Sequence, residues 1–356
     1  MGIDIWDWFY EKVEDLYDRG EEMLADVMEE ISGWAVEGHN EQIDAAIGPA
    51  LARARELNES WVEVFLRHWY LQSLIAHRAN VRKGAPEAAS LIEFATRPEN
   101  RECPQSVCAV QDFCILFGQK EGHAYAHDRI NIILDTMAEI EAERSCYSCL
   151  SLELCDAYLD IDEREKFEDF YFRNGKHQAV GMPLSDLSHH QFILGRLAKN
   201  KGDISQMRAC AAKLAEEDEM ESQMNARELT ATAELQEGKP VEALVALGSW
   251  DDLMKNPGYL PDACALIVAA LETGAEGIDM ALWADRLNEG IRLLATNGVS
   301  YDCIDLGIRT APLLAKTKGV EAAKALLEAV EPELAELKEP DRVKPRLEAA
   351  KQALAD

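Results

Sequence analysis

Six of the nine cysteines fall between Cys103 and Cys155, as Cys103-x4-Cys108, Cys114, Cys146-x2-Cys149 and Cys155, and His123-x3-His127 lies among them. These are the residues whose types and spacing could do chemistry. Thiolate and imidazole pairs are how a chain supplies the four tetrahedral ligands of zinc, and two histidines four apart share one face of a helix. A Cys-x2-Cys pair could also serve as a redox couple. Against both stands the setting, since the pairs lie in apolar helical text such as Cys149-Leu-Ser-Leu-Glu-Leu-Cys155, and cysteine packs readily as a small buried hydrophobe. The favoured reading is therefore core, with no metal and no cofactor. The alternative is a metal-binding or redox-active helical protein built on Cys103, Cys108, His123, His127, Cys146 and Cys149. The histidine pair lacks the intervening glutamate of the zinc-protease motif, so it offers ligands without a general base. No phosphate loop, dinucleotide glycine fingerprint or nucleophile elbow occurs elsewhere, and no enzymatic activity is expected.

The elements that must position these residues are helices. In Phe192–Leu214 a first amphipathic segment carries Phe192, Leu194, Leu197 and Ala198, and Lys201-Gly202-Asp203 makes a turn. A second segment then carries Ile204, Met207, Cys210, Ala211 and Leu214. Gly195 leaves room for a neighbouring helix. Hairpins of this kind bury their apolar faces only by stacking on neighbours. Turn landmarks at Gly38, Gly84, Gly122, Asp162, Gly202, Gly238, Gly277 and Gly319 recur at about 40 residues, a solenoid period. The expected fold is all-α: a right-handed α-solenoid of about eight antiparallel helix pairs, held by neighbour-to-neighbour packing.

The same pattern divides the chain. Residues 1–37 form an acidic amphipathic helix, either continuous or broken at Gly20. Helical repeats follow over 38–173, an irregular connection over 174–185, further repeats over 186–338 and a capping helix over 339–356. Within the first repeats one helix is expected from Trp61 to Lys83-Gly84, with Pro86 in the first turn of its partner. A short helix after Pro240 is expected to end near Trp250.

Charge limits the partners. A formal net charge of −30 argues against nucleic acid and anionic membrane surfaces and favours a partner with basic groups. No apolar run approaches the roughly 20 residues needed to span a bilayer. The start of the chain is acidic rather than cationic and apolar, so no secretory leader is expected and the thiols are assigned to a reducing cytoplasm. Between Met1 and Glu41 thirteen acidic residues face two basic ones. The apolar stripe there includes Trp6, Phe9 and Val13, which either caps the first repeat or docks a partner or a second copy of the chain. The oligomeric state stays open, a homodimer included.

The unit around Leu194 resembles a tetratricopeptide repeat: Leu194-Gly195 and Ala198 in the first helix, Gly202-Asp203 in the turn and Leu214 in the second helix fall at that family's spacing. Met207 stands where the family usually has alanine. Gly238, Ala243 and Leu247 give a second, partial match, and elsewhere only the hairpin pattern persists. The resemblance implies that first helices line a concave groove holding a peptide or partner helix. Carried onto this chain, the groove positions are His189, Phe192, Arg196, Lys199 and Asn200, then Asn225, Glu228, Thr232 and Gln236. The Lys/Asn clamp by which some members grip a terminal carboxylate is missing. The expected function is a non-enzymatic protein- or peptide-binding scaffold, adaptor or regulator. A sensor of small molecules or peptides in the same groove is a further alternative.

Overall fold

The computed structural model describes residues 5–140, 145–174 and 188–355, and among them every regular element is helical, with no strand. The connection expected over 174–185 lies, from residue 175 on, outside the described residues. No helix is long and apolar enough to cross a membrane.

The N-terminal segment is two helices, α1 (Ile5–Asp18) and α2 (Glu22–Glu37). They break where Gly20 takes φ +76°, a left-handed conformation open to glycine at no steric cost. Helices α3 (Asn40–Glu56) and α4 (Ser60–Ala76) follow. Phe9 stacks on Phe65 of α4 at 5.3 Å between ring centroids, and Trp8 lies 6.0 Å from Trp61. Phe9, Val13 and Leu16 thereby close the apolar end of the array, as a terminal helix must if the first hairpin is not to face water.

α4 ends seven residues before Lys83. The turn is made at residues 77–80, where Ala79 has φ +43°, and Gly84 and Pro86 both lie inside α5 (Val81–Ala95). Gly84 has a packing role rather than a turn role: a Cβ there would meet Leu116 at 2.7 Å. The turn expected near Gly122 is present one residue earlier: α6 (Ser106–Glu139) is two helical stretches that meet at Glu121, whose φ is −165° and ψ 70°. Helices α7 (Ser145–Asp160) and α8 (Arg164–Glu168) are separated by a turn in which Asp162 has φ +58°.

The best-patterned hairpin forms as its sequence directs. α9 (Ser188–Lys201) and α10 (Ile204–Leu214) meet at Gly202 with φ +71°, and the Asp203 carboxylate accepts the amide N–H of Gln206 at 3.0 Å, an N-cap. Gly195 lets α11 (Met220–Gln236) approach, since a Cβ there would meet Leu229 at 2.3 Å. Then come α12 (Pro240–Ala246) and α13 (Trp250–Lys255). Trp250 opens α13 rather than closing the helix before it, because Ser249 caps the Asp252 N–H. The chain continues with α14 (Leu260–Glu272), α15 (Met280–Asn297), α16 (Ser300–Lys318), α17 (Val320–Val330) and α18 (Lys344–Ala353).

Packing extends beyond neighbours. α5 also packs on α15, and α6 on α16, so one apolar core includes Val81, Ala85 and Leu116 together with Val299, Ile304 and Leu337. Polar contacts fasten this seam. The Glu121 carboxylate, 1% exposed, accepts the N–H groups of Lys338 and Glu339 at 2.6 and 3.1 Å. Burial raises its pKa above the usual carboxyl range and the two N–H groups draw it part of the way back. Lys338 Nζ donates to the Ala124 carbonyl and to Asp128. Arg82 donates to the carbonyls of Ala295 and Thr296, which end α15, and to Glu333. The chain thus closes on itself: α6, α7, α9, α11, α14 and α16 each pack on the next, and α16 packs back on α6.

Two substitutions test this account. Phe9→Ala should lower unfolding free energy by about 3–5 kcal/mol through the cavity it leaves, whereas Trp6→Ala, at 45% exposure, should change it by no more than about 0.5 kcal/mol. Equal losses in urea titrations would contradict the cap. Glu121→Ala orphans two backbone donors, should cost about 1–3 kcal/mol, and should speed hydrogen exchange at the Lys338 and Glu339 amides. Unchanged exchange would show that the seam is held by other contacts.

Candidate functional site

The inner face of the helical ring gathers charge. Helix α7 presents Glu153, Asp156 and Asp160, and α9 presents Arg196, Lys199 and Asn200. Asp156 and Asp160 follow at steps of three and four in α7, and Lys199 and Asn200 lie three and four residues after Arg196 in α9, spacings that keep each set on one side of its helix. α6 adds Arg129, α11 adds Glu228, α14 adds Asp262, and α16 adds Asp302 and Asp305.

Arg129 is fully buried. Its guanidinium donates to Asp160 at 2.5 Å and Asp156 at 3.0 Å, with Glu153 at 3.9 Å. Two glycines make this arrangement possible. A Cβ at Gly118 would lie 3.1 Å from the Arg129 Cζ, and one at Gly122 would meet the Asp160 carboxylate at 2.5 Å. Asp156 is shared, pairing with Arg196 as well. Lys199 spans two helices, with its Nζ 3.2 Å from Glu228 and 3.4 Å from Asp262.

The electrostatic consequences differ by residue. Burial works against the Lys199 charge, but Asp262 and Glu228 more than reverse that and hold its pKa above the lysine range. Burial raises Glu228, with Asp262 adding to the rise and Lys199 opposing it. Asp262, its side chain 53% exposed, is also raised by burial, yet Lys199 and Arg196 outweigh this and leave it below the usual range. Burial raises Asp160 despite Arg129. Asp302 has acids for charged neighbours, and burial together with Asp262, Asp305 and Asp160 pushes it up to about 7. Asp305 itself is paired with Arg346 at 2.6 Å. Arg129, Arg196 and Lys199 thus face six carboxylates counting Asp302, so the face carries an excess of negative charge that a cationic group could offset.

The groove positions inferred from the sequence are distributed unequally over this face. Arg196, Lys199 and Glu228 lie within the network, and Asn200 donates weakly to Asp162 at 3.4 Å. Phe192 packs beside Cys210, Leu214 and Leu229. Asn225 and Thr232 are buried, and the Thr232 hydroxyl donates to the Glu228 carbonyl of its own helix; Gln236 is exposed. The side chain of His189 lies outside the described residues. Its neighbour His190 is fully buried between the Ser148 and Tyr171 hydroxyls, each 3.1 Å from a ring nitrogen. Sequence reasoning missed Arg129, Asp156, Asp160, Asp262 and Asp302. One signal was available, because Asp156 and Arg196 are forty residues apart, as are Asp262 and Asp302.

The cysteines are placed elsewhere. Cys103 joins the large core, while Cys114 and Cys155 sit in the core beneath α6 and α7, where burial raises both thiols well above their ordinary range. Cys108 and Cys149 are half-buried, and the Cys146 side chain lies outside the described residues. His123 stands edge-on to Tyr301 at 4.5 Å, across the seam, and His127 is exposed. Among the described residues no three His, Cys, Asp or Glu side chains are grouped so as to hold a metal ion. The two best-formed hollows, beside Glu228 and Tyr259 and at the seam beside Arg82, have room for water rather than for a drug-sized ligand.

The chain matches no protein-family profile, no curated protein and no solved structure.

Asp302 supplies a pH test. A carboxyl whose folded pKa is raised contributes stability below its unfolded pKa of about 3.8 and loses it as pH rises through about 7. Asp302→Asn should therefore raise the melting temperature above pH 7, with the gain shrinking to nothing below about pH 4. A gain independent of pH would show that the ionisation of Asp302 is not its source.

Proposed function

We propose that this chain is a non-enzymatic binding scaffold, a tetratricopeptide-like α-solenoid of about eight helix pairs with a right-handed course and a period near 40 residues. Its inner face holds an extended protein or peptide segment bearing Lys or Arg. The observation that carries the reading is the incomplete charge pairing of that face. Among the described residues the charged groups that act on Asp302 are the acids Asp262, Asp305 and Asp160, and Asp262, paired to Lys199, still has half its side chain open to water. A basic side chain placed there would complete the pairing and lower the Asp302 pKa, offsetting the burial, and after it the neighbouring acids, that now raise it. The small size of the hollow beside Glu228 and Tyr259 favours a segment laid along the face over a small molecule enclosed in it. Arg196 and Lys199 would set register by repelling misplaced cations and accepting acidic or carbonyl groups beside them.

Selection from a library of short random peptides tests the proposal. Bound sequences should be enriched in Lys and Arg, and Asp262→Asn with Asp302→Asn should weaken the selected peptides about tenfold, the range of one or two lost charge contacts. Selection without basic enrichment, or peptides indifferent to both substitutions, would refute it.

A further inference from the structure

The aromatic residues of α1 divide between two faces. Trp8, Phe9, Val13 and Leu16 are buried, while Trp6, Tyr10 and Tyr17 are 45%, 68% and 37% exposed. At about 100° per residue these three fall within a stripe roughly 40° wide, and at 1.5 Å per residue the stripe is about 16 Å long. It is anchored from below, because Trp6 and Tyr10 each lie edge-on to buried Phe9 at 5.7 and 5.2 Å. The rings are therefore presented on a rigid base rather than on a fraying end.

The surroundings of the stripe are acidic. Tyr17 donates its hydroxyl to Asp26 at 2.7 Å and lies 2.9 Å from Glu29, which brings two carboxylates of α2 against the end of the stripe. Glu11, Glu14, Asp18 and Glu22 are also exposed, and none of these six acids forms an ion pair with Lys or Arg among the described residues. The two cations of α1 and its turn are used elsewhere: Lys12 and Arg19 pair with Asp15, at 3.0 Å each, and with Glu59 at 3.3 and 2.5 Å. Exposed aromatic faces beside unpaired carboxylates suit one chemistry, a Lys- or Arg-rich amphipathic helix. Its apolar side would cover the rings, and its cations would reach the acids and the ring faces. A second copy of the chain would bring the same acids against themselves.

We infer that the outer face of α1 and the adjoining edge of α2 form a docking surface for a basic amphipathic helix of a partner protein, separate from the inner face. The probe is a fluorescein-labelled peptide of Lys and Leu arranged as an amphipathic helix, with an oligolysine of equal charge as control, titrated into the full chain. The Lys/Leu peptide should bind at least tenfold more tightly than oligolysine, and roughly tenfold less tightly when salt rises from about 50 to about 300 mM. Trp6→Ala with Tyr10→Ala should remove at least nine-tenths of the affinity while the chain stays cooperatively folded, its melting temperature lower by no more than about 8 °C for the lost contacts with Phe9. Charge reversal of the separate exposed run at Glu216, Glu217, Asp218 and Glu219 should change it less than twofold. Equal binding of oligolysine, indifference to the aromatic pair, or an equal loss on reversing the distant run would overturn the inference as general attraction to an acidic protein. Loss of the peptide only in Asp262→Asn with Asp302→Asn would also overturn it and leave the inner-face proposal standing. Concentration-dependent dimerisation abolished by Trp6→Ala would assign the surface to a second copy instead.

Discussion

The carboxylate of Glu121 is buried where α6 meets the segment after α17, and there it accepts two backbone N–H groups. Hairpins stacked in a line leave an open apolar surface along their length as well as at their ends. Here α5 and α6 meet α15 and α16, and the apolar residues on both sides merge into one core. Closure turns the remaining sides of α6, α7, α9, α11, α14 and α16 toward one another. The inner face is thus a product of the seam, and so is the burial that sets the ionisation of its side chains.

That burial has a cost which the arrangement meets locally. A guanidinium without water is tolerated only with several acceptors at hydrogen-bonding distance, and Arg129 has Asp156 and Asp160, with Glu153 just beyond. The backbone yields to this network, since Gly118 and Gly122 carry no side chain where the guanidinium and the Asp160 carboxylate lie. Replacing such a cluster with apolar residues need not destabilise a fold.

The two ends of the charge distribution behave differently. Inside, acids and bases alternate between helices and partly cancel, with Asp302 left among carboxylates. Outside, on α1 and α2, the acids stand together and the available cations are drawn to Glu59, Asp15 and Glu21. A surface of this kind repels like charge and attracts cations over the reach of its field.

The helical class and most turns were legible from sequence, because hydrophobic period and left-handed glycines act over a few residues. Gly38, Gly202, Gly238, Gly277 and Gly319 all have positive φ. The same local grammar misread Gly84, whose reason is not a turn but the approach of Leu116 from α6; near Gly122 it found the break, which falls at Glu121, but not the Asp160 carboxylate that the glycine admits. It separated the aromatics of α1 from its acids but could not say that Phe9 faces Phe65 while Trp6 faces water. The inner face was the least legible part. Arg196, Lys199 and Glu228 could be named from two adjoining repeats, whereas Arg129 and Asp262 join them only through helices that pack on those repeats from outside them. A charged residue in a helix reads as solvated until something covers it, and what covers these residues is packing between helices whose contacting residues lie 27 to 63 positions apart in the chain.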